Sequence, residues 1–82
     1  MQVKIIAPQD ILFEGEALEV VLPGEDGEFA VLDFHQSCMY ALRQGQIKAV
    51  TRDEKEPRKR FFIKSGIALV EFGCLKVLVE EY

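Results

Sequence analysis

The stretch Gly24-Glu25-Asp26-Gly27-Glu28-Phe29-Ala30-Val31-Leu32-Asp33-Phe34-His35 is the one on which the fold turns. Asp-Gly is a strong hairpin dipeptide, because glycine accepts the positive φ that a two-residue connection demands. Strand-like residues 17–22 precede it and residues 28–32 follow it, so the segment reads as two strands joined at Asp26-Gly27. The same stretch holds four acids and the only histidine of the chain, which raises the competing idea of a catalytic or metal-binding loop.

Outward from that turn the pattern stays β. Gly and Pro recur at Pro8, Gly15, Pro23, Gly24, Gly27, Gly45, Pro57, Gly66 and Gly73, leaving few windows long enough for a stable helix. Between them lie short segments rich in Val, Ile, Leu and Phe: residues 3–7, 11–14, 46–51, 60–65, 67–72 and 75–79. Gly15-Glu16 reads as a tight connection between residues 11–14 and 17–22, and Gly73-Cys74 as another turn. Residues 37–44 read as irregular or strand. Residues 53–60, Asp-Glu-Lys-Glu-Pro-Arg-Lys-Arg, are charged apart from the proline and lie between two strand-like runs, as the solvated tip of a long hairpin does. Turns spaced by about 8–12 residues predict an all-β fold, a flattened sandwich or barrel.

With 82 residues the chain is expected to form a single domain over 1–82. Its core would be small, and association with a partner would help to stabilise it. Hydrophobic residues make up 49% and charged residues 29%, which excludes a disordered chain. The formal net charge of −4 argues against nucleic acid as the partner. No apolar run approaches the roughly 18 residues of a membrane span, so no direct membrane insertion is expected. The two cysteines, Cys38 and Cys74, without a signal peptide in Met-Gln-Val-Lys-Ile-Ile-Ala-Pro-Gln-Asp, are expected to be reduced thiols.

The chemical readings fail on spacing. Asp33, His35 and Ser37 would share one face of a strand, but in a linear row too extended for Ser–His and His–Asp hydrogen bonds together. His35, Cys38 and Cys74 lack the paired short spacings of zinc sites. Glu25, Asp26 and Glu28 lack the alternating oxygen ladder of a calcium loop. Arg58-Lys59-Arg60-Phe61-Phe62 has the basic and aromatic look of a nucleic-acid strand, yet its bases adjoin nearly as many acids. The two adjacent Phe residues must point to opposite faces, one to the core and the other to a second layer or contact surface. Biotinyl and lipoyl carrier domains display a lysine at a hairpin tip between characteristic neighbours, which neither the Asp26-Gly27 turn nor Lys55 reproduces. No catalytic residue, cofactor or metal is expected; the residues describe a small acidic β-sandwich that acts by binding.

The order of the motifs adds a resemblance. It runs Pro8-x3-Leu12-Phe13-x-Gly15, Leu22-Pro23-Gly24, Asp26-Gly27-Glu28-Phe29-Ala30-Val31-Leu32 with His35, then Leu42-x2-Gly45-x-Ile47. After the charged hairpin come Phe61-Phe62-Ile63-x-Ser65-Gly66-Ile67-Ala68-x-Val70 and Val77-Leu78-Val79. Over essentially the whole chain this resembles the N-terminal β-sandwich of the epsilon subunit of F-type ATP synthases, called delta in mitochondria.

The resemblance implies about ten short strands and a non-catalytic subunit of the central rotor stalk. Such a subunit binds gamma and the c-ring and couples proton flow to ATP synthesis. It sits on the cytoplasmic face of the bacterial inner membrane, peripherally, through the complex. By the same resemblance Glu28, Asp33 and His35 are expected at the c-ring, and Ala7, Gln36, Cys38 and Met39 at gamma. His35 would serve there as a pH-sensitive donor or as a plain structural hydrogen bond. Ala30, Asp33, Ser65 and Leu69 depart from residues usual in the family: glycine, proline, the start of a Gly-Gly pair and glutamate. The sequence also stops after the last strand, where the family usually continues into an inhibitory two-helix hairpin, so no C-terminal helical hairpin is expected.

Overall fold

In a computed structural model, residues 1–32 and 37–81 are described. They form eight strands: β1 Gln2–Ala7, β2 Asp10–Glu16, β3 Glu19–Gly24, β4 Gly27–Val31, β5 Cys38–Leu42, β6 Gly45–Val50, β7 Arg58–Glu71 and β8 Cys74–Glu81. The all-β sandwich expected from the sequence is therefore observed, with eight strands among the described residues where about ten were expected.

The difference is mostly one strand. Residues 60–65 and 67–71, read as parts of separate strands 60–65 and 67–72, belong to the single 14-residue β7, and Phe72 lies in the turn that follows. Gly66 looked like a break. Instead it marks a close approach of two backbones: a Cβ there would lie 2.7 Å from the Leu78 carbonyl oxygen. β5 and β6 face β7 in one continuous register, Cys38 opposite Val70, Leu42 opposite Gly66, Gly45 opposite Ile63 and Val50 opposite Arg58. The long charged hairpin is thus present. Its connection is shorter than expected, because Arg58-Lys59-Arg60 already belong to β7. The Thr51 amide donates to the Pro57 carbonyl at 2.7 Å and closes that loop.

β7 links two layers. One half pairs with β6, which pairs with β3, and β3 with β4. The other half lies between β5 and β8, and β8 runs parallel to β1, which pairs with β2. A register shift between Ile63 and Ser65 sits at the join, where a bulge bends a strand. Alternate residues of both layers meet in one core that includes Ile5, Leu22, Ile47, Ile63, Leu75 and Val77, all at or below 1% exposure. Each such side chain contributes about 1.5–3 kcal/mol by leaving water.

Two aromatic pairs pack against the rim of this core, each joining the layers. Phe13 on β2 meets Phe61 on β7 with ring centroids 6.2 Å apart, and Phe29 on β4 meets Tyr40 on β5 at 4.4 Å. Each pair adds about 0.5–1.5 kcal/mol beyond its burial. Phe61 is the inward member of the Phe61-Phe62 pair and Phe62 points out, as their adjacency requires.

The turns differ from expectation by one or two residues. Gly24 pairs with Gly27, so Glu25-Asp26 form the β3–β4 connection and Gly27, with φ +134°, opens β4. Gly24 is also obligatory, since a Cβ there would lie 2.7 Å from the Phe29 ring. Gly15-Glu16 is not a connection: both residues lie in β2, opposite Val3 and Gln2. The chain turns instead at Ala17-Leu18, where the Ala17 amide donates to the Met1 carbonyl at 3.0 Å.

Candidate functional site

A half-buried sheet should alternate apolar and polar residues, and three strands break that rule. In β1 Ile6 stands between the inward Ile5 and Ala7; in β7 Ile67 stands beside the inward Ala68; in β8 Leu78 stands between the inward Val77 and Val79. Register brings the breaks together. Ile6 faces Leu78, Leu78 faces Ile67, and Ile67 faces Ala41 of β5. Ile11 of β2, opposite Ile6, continues the row. The result is one apolar row across the outer face of the first layer, with Ile67 44% and Leu78 42% exposed.

The row floors an open groove whose rim includes Glu25, Ser65 and Glu80. An apolar centre with a polar rim is how protein interfaces are built. The next rung extends the face: Met39, highly exposed, lies opposite Leu69. Leu69, one of the departures from family pattern, therefore adds apolar surface where a carboxylate would have interrupted it.

The residues singled out from the sequence fall in different places. Met39 is on this outer face. Ala7 is 4% exposed, so its side chain offers almost no contact area, although it lines the end of the groove. Cys38 points the other way and packs on the core beside Tyr40. The neighbouring Cys38 side chain and, after it, burial raise the Tyr40 phenol above its usual pKa of about 10. Asp33, His35 and Gln36 lie outside the described residues.

Glu28 is exposed on β4 opposite Pro23, beside the turn, on the outer face of the second layer. Its carboxylate lies 3.6 Å from the Lys48 ammonium of β6. A cationic partner reaching Glu28 must therefore compete with Lys48. Glu28 also shares a shallow concavity with Glu25, Asp26 and Met39, which brings one residue of each expected contact set together.

Cys38 and Cys74 are both free. Cys38 aligns through Val70 with the inward Leu75, whereas Cys74 is the next residue along β8 and points outward. Opposite faces of one sheet cannot supply a shared metal or a disulfide. Among the described residues no three His, Cys, Asp or Glu side chains converge as a metal site. No described helix is long and apolar enough to cross a membrane.

The row Ile6–Leu78–Ile67–Ala41 was the feature missed from sequence. Its signal was present in Ile67-Ala68-Leu69-Val70 and Val77-Leu78-Val79, runs too apolar for strands with one wet face. Only the register could show that the surplus residues are neighbours.

A small sandwich with an apolar outer row and a polar rim has the surface character of a docking domain. The model of the ATP synthase Delta/Epsilon chain beta-sandwich domain matches residues 1–82, and the chain belongs to that family. The ATP synthase epsilon chain of Rickettsia bellii is 35% identical over 80 residues, covering 98% of this chain and 74% of that protein. Those of Bordetella avium, at 37%, and Maricaulis maris, at 40%, match 95% and 94% of this chain but 54% and 56% of their own lengths. The chain thus spans little more than half of several curated relatives. Its fold is shared with a chain of the Euglena gracilis mitochondrial ATP synthase, with TM-score 0.84 and 18% identity over 96% of this chain and 49% of that one. A chain of the Tetrahymena thermophila mitochondrial ATP synthase central stalk and c-ring gives 0.77 at 10% identity, over 98% and 63%.

Proposed function

We propose that this chain is a non-catalytic docking subunit of an ATP synthase rotor, binding gamma through the outer face of the first layer and the c-ring through the side that carries Glu28. The observation that carries the reading is the aligned row Ile6–Leu78–Ile67–Ala41. Leaving such a row in water is costly, and covering it returns about 25 cal/mol for each Å² of apolar surface removed. Relatives that are ATP synthase epsilon chains, and a structural neighbour from a central stalk and c-ring, supply the context.

Transmitting rotation requires a contact that resists sliding. A broad apolar face supplies area, and charged groups at its rim set register. In this reading proton-driven rotation of the c-ring passes through the sandwich to gamma. Asp33 and His35 would join Glu28 toward the c-ring loops, and Gln36 would join Met39 toward gamma. The subunit would lie peripherally at the cytoplasmic face of the inner membrane, held there by the complex.

The test is co-purification with gamma from the same organism, comparing the native chain with Ile67→Glu. Retention of native chain and loss of the variant is expected. Equal retention of both would remove the apolar row from the interface, and no retention of either would remove gamma as the partner.

A further inference from the structure

The outer face of the second layer carries a different chemistry. Lys48 of β6 lies directly opposite Arg60 of β7, and Arg58 lies one outward position away opposite Val50. Phe62, 64% exposed, follows on the same face, and the exposed Lys64 stands at the bend. Like charges opposite each other destabilise a sheet, so Lys48 and Arg60 work against the fold they sit in. Among strands β3, β4 and β6 the acids of this face are Glu28, whose carboxylate is on Lys48, and Glu19, opposite Val50, while on β8 Glu81 and Glu80 lie opposite Ile63 and Ser65, on either side of Lys64. Arg58, Arg60 and Lys64 make no ion pair among the described residues.

Independently of the gamma and c-ring reading, we propose that this face, centred on Arg60 and Phe62, docks an acidic, amphipathic protein segment. The Glu28–Lys48 contact already shows the face holding one carboxylate, supplied by its own edge strand. Further carboxylates meet Arg60, Arg58 and Lys64, and apolar side chains cover Phe62 between them. Arginine is suited to this because its planar fork takes a carboxylate in two hydrogen bonds. An extended polyanion fits less well. The chain carries a net charge of −4, and Asp53, Glu54 and Glu56 stand in the loop next to Arg58. A long nucleic acid or a charged membrane would meet that repulsion, whereas a short acidic segment meets only the basic strip.

The experiment follows backbone amide NMR shifts of the chain during titration with a synthetic peptide alternating Glu and Leu. Its Lys/Leu counterpart, phosphatidylglycerol vesicles and oligothymidylate are titrated in parallel. Shifts confined to β6 and to Arg58–Phe62, produced by the Glu/Leu peptide alone and weakening with salt, are expected. Arg60→Glu should weaken that binding by about tenfold or more, and Phe62→Ser should also weaken it. Both side chains are exposed, and retained amide dispersion in each variant, or in the milder Arg60→Gln, separates lost binding from lost fold. Equal or tighter binding of vesicles or oligothymidylate, equal binding of the Lys/Leu peptide, no response to the Glu/Leu peptide, or unchanged binding in Arg60→Glu would each overturn the assignment.

Discussion

Ile67 on β7 lies directly opposite Leu78 on β8, and both point away from the core into solvent. Neither side chain holds the fold together to the degree that Ala68 or Val77 does, so their shared exposure separates binding from stability. Ile67→Glu should leave unfolding free energy within about 0.5 kcal/mol of native. The same change should lower affinity for gamma by about tenfold or more, since it places a charge at the centre of an apolar contact. Urea denaturation alongside a gamma pull-down checks both halves. A variant that unfolds early would assign Ile67 to the core instead.

Glu28 and Lys48 offer a charge test of the other face. Their contact is exposed on both sides, so Glu28→Gln should cost no more than about 1 kcal/mol of stability. Coupling should be more sensitive. Glu28→Lys should weaken attachment to the c-ring and uncouple proton flow from ATP synthesis in membranes containing the complex. Lys48→Gln, which releases the Glu28 carboxylate from its neighbour, should strengthen that attachment or leave it unchanged. Proton pumping in Glu28→Lys membranes equal to native would remove Glu28 from the contact.

Tyr40 offers a test of stability at alkaline pH. Its phenol is raised by the neighbouring Cys38 side chain and by burial, so the folded state holds this proton more tightly than the unfolded state does. The resulting stabilisation is complete below the unfolded value of about 10 and is lost as pH rises through the folded value. Tyr40→Phe should therefore flatten the fall in stability above about pH 10 while keeping the ring contact with Phe29. Thermal melts from pH 8 to about 11 would reveal it; an identical alkaline fall in both proteins would assign the loss to other groups.

Most of the architecture was legible because strand periodicity and turn residues are local. Val3, Ile5 and Ala7 announce an inward face, and the Asp26-Gly27 pair announces a hairpin, misplaced by one residue because Gly24 and Gly27 together flank the actual turn. Gly15 and Gly66 misled for a shared physical reason. Glycine can mark a reversal or a tight approach, or stand in an ordinary strand position, and only the folded chain tells them apart: Gly66 lies against the Leu78 carbonyl, while Gly15 sits within β2 opposite Val3, where a Cβ would make only an ordinary contact, 3.6 Å from the Phe13 ring. The apolar row was less legible. Ile6, Ile67 and Leu78 come from three distant segments, and a sequence pattern carries no information about which rung each will occupy. Ala7, expected at gamma by resemblance, is an inward residue of β1, and its half-buried neighbour Ile6 is the one on the outer face.

Phe72 and Gly73 form the two-residue connection between β7 and β8, with φ of 42° and 77°. Both are left-handed, the arrangement of a type I′ hairpin, which favours Asn-Gly. A bulky side chain at such a position costs about 1–2 kcal/mol relative to a residue that adopts it freely. Phe72 recovers little of that by burial, since it is 77% exposed. Phe72→Asn should therefore stabilise the chain by about 1 kcal/mol, seen as a higher urea midpoint at unchanged slope. The turn lies beside the first strand, where the Gln2 amide donates to the Gly73 carbonyl at 3.1 Å, so the gain should also slow amide exchange at Gln2. A lower midpoint would mean that the Phe72 ring makes a stabilising contact that outweighs its backbone strain.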